Sequence, residues 1–151
     1  MTRRLTTVFL LQAAFVSANP GARVMEAKDI PAILQAQDPQ LSPDGRWVAF
    51  VVSELDPKEN LYQSDVWLVG TALGDPFRFT RHPKNDRAPQ FSPDGTKLAF
   101  ISEREDKPQI FLADVRGGEP WKLSELKGGV TGFAWGPDGA WIAALSADAP
   151  S

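Results

Sequence analysis

Nucleophilic or metal chemistry would have to be built from histidine, cysteine and well-placed serine, and this chain of 151 residues is poor in all three. It has one histidine, His82, and no cysteine. Thiol catalysis is excluded, and no disulfide can close the structure even in an oxidising compartment. A Ser-His-Asp triad needs a histidine base, and the serine of an α/β-hydrolase sits in a Gly-x-Ser-x-Gly elbow; no such string occurs. His82 lies in Arg81-His82-Pro83-Lys84-Asn85. With no second histidine or cysteine to join it, it reads as an exposed residue of a polar connection rather than a base or a ligand. The densest charge, Glu103-Arg104-Glu105-Asp106, falls where one strand turns into the next and reads as a solvated hairpin. No catalytic, cofactor-binding or metal-binding residue is assigned.

Three further acidic residues belong to a repeated turn. Ser42-Pro43-Asp44-Gly45 returns as Ser92-Pro93-Asp94-Gly95 and as Gly136-Pro137-Asp138-Gly139. Proline presets φ, aspartate can bond its own backbone, and glycine accepts the left-handed conformation of a tight hairpin, so these aspartates are structural. Apolar residues frame each turn: Leu41, Phe91 and Trp135 before it, and Trp47–Val51, Lys97–Ile101 and Trp141–Leu145 after it. Repetition with a period of about 40–50 residues marks a propeller or a solenoid.

The spacing is 50 residues from Gly45 to Gly95 and 44 from Gly95 to Gly139. Trp67 to Phe79 and Phe111 to Leu123 both span 12 residues, as do Thr80 to Ser92 and Ser124 to Gly136, so the six extra residues lie within Glu54–Gln63. A polar stretch containing Pro57 is expected to form an exposed surface loop there. Each copy reads as four short strands: Pro39–Ser42, Trp47–Ser53, Asp65–Gly70 and Phe77–Thr80, then Ala88–Ser92, Lys97–Glu103, Gln109–Val115 and Pro120–Ser124. Gly132–Ala147 forms the hairpin of a third copy. Several strands are apolar at consecutive positions, which implies burial on both faces, as in stacked blades. The expected fold is all-β, an incomplete β-propeller of about two and a half four-stranded antiparallel blades (38–80, 88–124 and 132–151), with all five tryptophans inside the repeats.

The N-terminus follows different physics. Arg3 and Arg4 precede a mainly apolar run from Leu5 to Val16, and Val16-Ser17-Ala18 offers small residues for cleavage. Residues 1–18 therefore read as a signal peptide, which places the product in the periplasm or medium with no membrane span after cleavage. Removal takes Arg3 and Arg4 and no acid, so 16 basic residues become 14 against 19 acidic. That balance leaves no basic patch for nucleic acid. Residues 19–37 form a lead-in, with a short helix expected over Ala27–Gln35 capped by Asp29.

The Ser-Pro-Asp-Gly hairpin, the strands Asp65-Val66-Trp67-Leu68-Val69 and Gln109-Ile110-Phe111-Leu112-Ala113, and the terminal Phe79-Thr80 and Leu123-Ser124 resemble the PD40 (WD40-like) repeats of TolB-type propellers. Asp38–Gly45, Phe100–Arg104 and Phe133–Gly139 are similar to the propeller that precedes the hydrolase in prolyl oligopeptidase family (S9) serine peptidases, in particular the dipeptidyl- and acylaminoacyl-peptidase branch. The resemblance implies a C-terminal α/β-hydrolase domain as partner, short peptides as substrates of the parent, no cofactor, and a propeller that filters access without catalysing. A TolB-type protein carries a separate α/β domain before its propeller, and the short lead-in here fits the S9 arrangement better. A non-enzymatic envelope propeller that binds proteins is the other reading.

Overall fold

The repeated turns close their hairpins with one hydrogen-bond pattern. In the computed structural model, which describes residues 35–56, 60–72 and 74–147, Ser42 Oγ donates to Asp44 Oδ1 (2.6 Å) and accepts from the Trp47 amide (2.9 Å). The Arg46 amide donates to the same carboxylate oxygen (3.1 Å), and the Gly45 amide donates to the Ser42 carbonyl (2.9 Å). The second copy repeats these contacts with Ser92, Asp94, Thr96 and Lys97. Gly45, Gly95 and Gly139 take φ of 70°, 70° and 71°, the left-handed region that glycine enters without penalty. In the third copy Gly136 replaces the serine because the Trp141 ring lies against it: a Cβ there would stand 2.4 Å from the ring.

These contacts make the turn aspartates pH-sensitive. The Ser42 hydroxyl, then the Arg46 amide and side chain, bring the Asp44 carboxyl down to about 2 from 3.8. Asp94 is lowered in the same way by Ser92 and Thr96. A carboxyl depressed in the folded state contributes stability that is present above its unfolded pKa and lost as pH falls toward the folded one. Asp44→Asn/Asp94→Asn should therefore lose stability less steeply than the wild type between pH 3.8 and about 2. Urea denaturation across that window checks this, and parallel slopes would refute it.

Ten strands follow: β1 (Gln35–Leu41), β2 (Trp47–Asp56), β3 (Leu61–Gly70), β4 (Phe77–Arg78), β5 (Asp86–Phe91), β6 (Lys97–Ser102), β7 (Gln109–Asp114), β8 (Trp121–Lys122), β9 (Val130–Trp135) and β10 (Ile142–Ser146). They form two four-stranded antiparallel sheets, β1-β2-β3-β4 and β5-β6-β7-β8, and the hairpin β9-β10. This is the incomplete propeller expected from the repeats. The expected signal peptide lies outside the described residues, as does the expected helix up to residue 34; Gln35 opens a strand instead.

Three boundaries differ from the sequence expectation. The first strand of each blade starts before its proline, at Gln35 and Asp86, and passes it through a register shift. Asp38 and Ala88, each preceding the proline, take φ of 52°. A bulge is where a strand tolerates proline. The fourth strands are shorter than expected because Phe79 and Thr80 amides both turn to the Val66 carbonyl (2.8 and 3.1 Å), as Leu123 and Ser124 do to Ile110 (2.8 and 3.4 Å). The described part of the inserted stretch is strand rather than loop: β2 and β3 stay paired from Trp47↔Gly70 to Asp56↔Leu61, whereas the second blade stops at Ser102↔Gln109. Once a ladder is in register each further pair adds hydrogen bonds without a new loop closure, and Asn60 supplies a φ of 51° at the turn.

Directly paired residues share a sheet face, and this sorts the core. Ala49↔Leu68 of the first blade meets Leu98↔Ala113 and Phe100↔Phe111 of the second, with Val66 and Phe91 in the same buried cluster. On the other face of the second blade Ala99↔Leu112 and Ile101↔Ile110 pack with Val130, Phe133, Trp135 and Ile142 of the third copy. Blades therefore stack face to face.

Candidate functional site: the loop face of the first two blades

In an up-and-down blade, alternate connections emerge on the same face. The β1–β2 and β5–β6 turns thus lie on one face, while the β2–β3, β4–β5, β6–β7 and β8–β9 connections share the other. Side chains knit this second face together. Gln63 Nε2 donates to the His82 carbonyl (2.9 Å), and the Ser64 amide donates to Asn85 Oδ1 (3.0 Å). Asn85 Nδ2 donates in turn to Glu103 Oε2 (3.0 Å), and the Glu103 amide to the Asn85 carbonyl (2.9 Å). The Val130 amide reaches the Pro108 carbonyl (2.7 Å). The extended β2–β3 arm is thereby braced against the β4–β5 connection, with Leu61 and Tyr62 exposed toward its tip.

His82 is half-buried rather than an exposed loop residue, and its Nδ1 accepts a hydrogen bond from the Lys84 amide (3.2 Å). That contact ties the ring to the backbone of its own connection. Among the described residues no group of three or more acidic or histidine side chains is arranged to hold a metal ion.

The run Glu103–Asp106 divides in two. Glu105 and Asp106 are solvated as expected, but Arg104 is not: its side chain is 15% exposed. Arg104 Nη2 lies 3.2 and 3.4 Å from the two oxygens of Asp86, which is fully buried, and its Nε donates to Ser102 Oγ (2.7 Å). The guanidinium stands over Phe111, 4.5 Å from the ring centre, on the face of the second blade that meets the first. Such stacking suits the weakly hydrated guanidinium better than an ammonium. Glu103 adds Arg87 at 3.9 Å. Lys84, Glu103, Arg104, Glu105, Asp106 and Pro108 line an open groove of about 590 Å³. It is a polar recess of mixed charge, suited to contacting a charged surface.

A second polar cluster was not visible as a site in sequence. Asp65 is buried, pairs with Arg78, and accepts from Thr80 Oγ1 (3.4 Å), which itself accepts from the Val66 amide (3.0 Å). Burial raises the Asp65 carboxyl above its usual range, against the pull of Arg78 and with help from the negative charge of Asp86. In the second blade Gln109 occupies the equivalent place: Ser124 Oγ donates to its Oε1 (2.7 Å) and accepts from the Ile110 amide (2.8 Å). The constant interval that carries Thr80 and Ser124 was the signal; their role as clamps between third and fourth strands needs the geometry.

Comparison with known proteins agrees with this architecture. The family model of the TolB beta propeller domain, PD40, matches residues 26–150. The uncharacterized peptidase YuxL of Bacillus subtilis is 39% identical over 121 residues, covering 80% of this chain and 18% of the relative. A protein TolB homolog of Chlorobium luteolum is 32% identical over 110 residues, covering 70% and 24%. The structure of Pyrococcus horikoshii acylaminoacyl peptidase superposes with a TM-score of 0.66 at 24% identity, over 79% of this chain and 18% of that one. The chain spans less than a quarter of the length of each of these three proteins. Its similarity to peptidases falls within the propeller. The chain belongs to the PD40 family of TolB-type β-propeller domains.

Proposed function

We propose that this chain is the N-terminal propeller segment of a secreted S9-type serine peptidase and controls the access of short peptides to a C-terminal α/β-hydrolase domain. The observation that carries this reading is the 39% identity to a peptidase over the propeller repeats. A second feature supports it: one face bears tight, self-satisfied turns, while the other carries the braced arm and the charged groove, as a surface facing another domain would. In this role the propeller excludes folded proteins by size and performs no bond chemistry. The signal pattern of residues 1–18 supports delivery to the periplasm or medium. The TolB description of the family favours a second reading, a non-enzymatic envelope propeller that binds proteins.

The test uses fluorophosphonate probes and dipeptidyl and acyl-aminoacyl chromogenic substrates. The 151-residue chain is expected to show neither labelling nor turnover, and a longer reading frame containing it to show both. Labelling of a serine within the 151 residues, or an unreactive longer protein, would overturn the peptidase reading. The second outcome favours the binding propeller.

A further inference from the structure

The pairing that lengthens the first blade leaves a ribbon standing clear of the blade stack. In the second blade the middle hairpin ends at Ser102↔Gln109, whose repeat equivalent is Val52↔Asp65; beyond that level the first blade carries four more pairs, from Ser53↔Ser64 to Asp56↔Leu61. At about 3.3 Å per residue they rise roughly 13 Å above the neighbouring blade. Blades meet through the faces of their sheets, so a blade of the second's height packed on either face of the first would end below the arm. A two-stranded ribbon is marginal on its own in water. This one is held at its foot, by Gln63 on the His82 carbonyl and by the Ser64 amide on Asn85. Farther along, Tyr62 is 50% exposed. It is paired with Leu55, on the face that lower down buries Val66 and the pair Ala49↔Leu68 against the second blade. Asn85 also bonds Glu103, a wall of the charged groove, so arm and groove form one continuous surface.

Topology says what meets that surface. Each described four-stranded blade starts and finishes on this face: Gln35 opens β1 opposite Ser53, at the foot of the arm, and β4 returns to the same side before β5 begins. A chain that leaves after any whole number of such blades leaves from this side, so a domain that follows the propeller is tethered here and not beside the tight turns. We propose that the β2–β3 arm is a docking post for the C-terminal hydrolase domain, which sets an apolar patch against Leu55 and Tyr62; this rests on the peptidase reading of the chain.

Hydrogen–deuterium exchange of the 151-residue chain and of the longer reading frame containing it tests this, with fluorophosphonate labelling of the longer protein alongside. The amides of 54–56 and 61–63 are expected to exchange at least about tenfold more slowly in the longer protein. Tyr62→Ser should return them to the rate of the 151-residue chain while the serine is still labelled, which shows that the hydrolase domain folds. The same substitution in the 151-residue chain should leave its circular dichroism unchanged, since the side chain is half exposed. A labelled longer protein whose arm exchanges as fast as in the 151-residue chain overturns the docking and leaves the peptidase reading standing. So does protection that survives Tyr62→Ser, because the contact then lies elsewhere. An unlabelled longer protein overturns the peptidase reading, and the occupant with it. Slow exchange already present in the 151-residue chain and dependent on its concentration makes a second copy the occupant and overturns the proposal.

Discussion

Replacing Asp86 with alanine is expected to lower the unfolding free energy by about 3–5 kcal/mol, the cost of stranding one member of a buried ion pair. Arg104 would keep the Ser102 hydroxyl and the Phe111 ring, but its charge would lie in a crevice where the side chain is 15% exposed and its carboxylate partner is gone. Arg104→Ala should cost a similar amount for the converse reason, because Asp86 is fully buried and would face the interior unpaired. The two losses should not add. A double-mutant cycle should return a coupling of about 1–3 kcal/mol, and the apolar pair Asp86→Leu/Arg104→Met should recover much of the lost stability, as buried pairs replaced by apolar groups of similar volume often do. Urea denaturation followed by tryptophan fluorescence measures each corner. Single losses below about 1 kcal/mol would mean that solvent reaches the pair and that its burial is not energetically felt.

That pair also shows where sequence reading stopped. The repeat made the turns, the strand order and the place of the insertion legible, because each copy served as a template for the next. Asp86 and Arg104 have no such template: their equivalents in the first blade are Ala36 and Glu54. A charge pair that occurs in one blade only, across two strands 18 residues apart, leaves no periodic trace, so Arg104 read as one more member of a solvated run. The arm failed for the opposite reason. The stretch Glu54–Gln63 is largely polar and contains a proline, which matches the composition of a loop, while the ladder that pairs 54–56 with 61–63 is set by the register inherited from Trp47–Ser53. Turn chemistry was readable because it is local; the bulges were not, because a proline looks like a strand boundary until the partner strand shows that pairing resumes beyond it.

Phe100→Ala is expected to cost about 3–5 kcal/mol, in the range for a phenylalanine removed from a packed core. Phe100 is fully buried, stacks with Phe111 at 6.3 Å between ring centres, and sits in the cluster that joins the first two blades. Phe50 occupies the same place in the repeat, directly paired across the strands with Trp67, but on the outer face of the first blade. Phe50→Ala should therefore cost less, about 1–2 kcal/mol, since a half-buried ring loses less apolar contact with its neighbours. The difference between the two substitutions reports chiefly what a covering blade contributes, because residue type and strand position are matched and each ring faces an aromatic residue across the strands. Equal losses at the two positions would show instead that the outer face of the first blade is already covered.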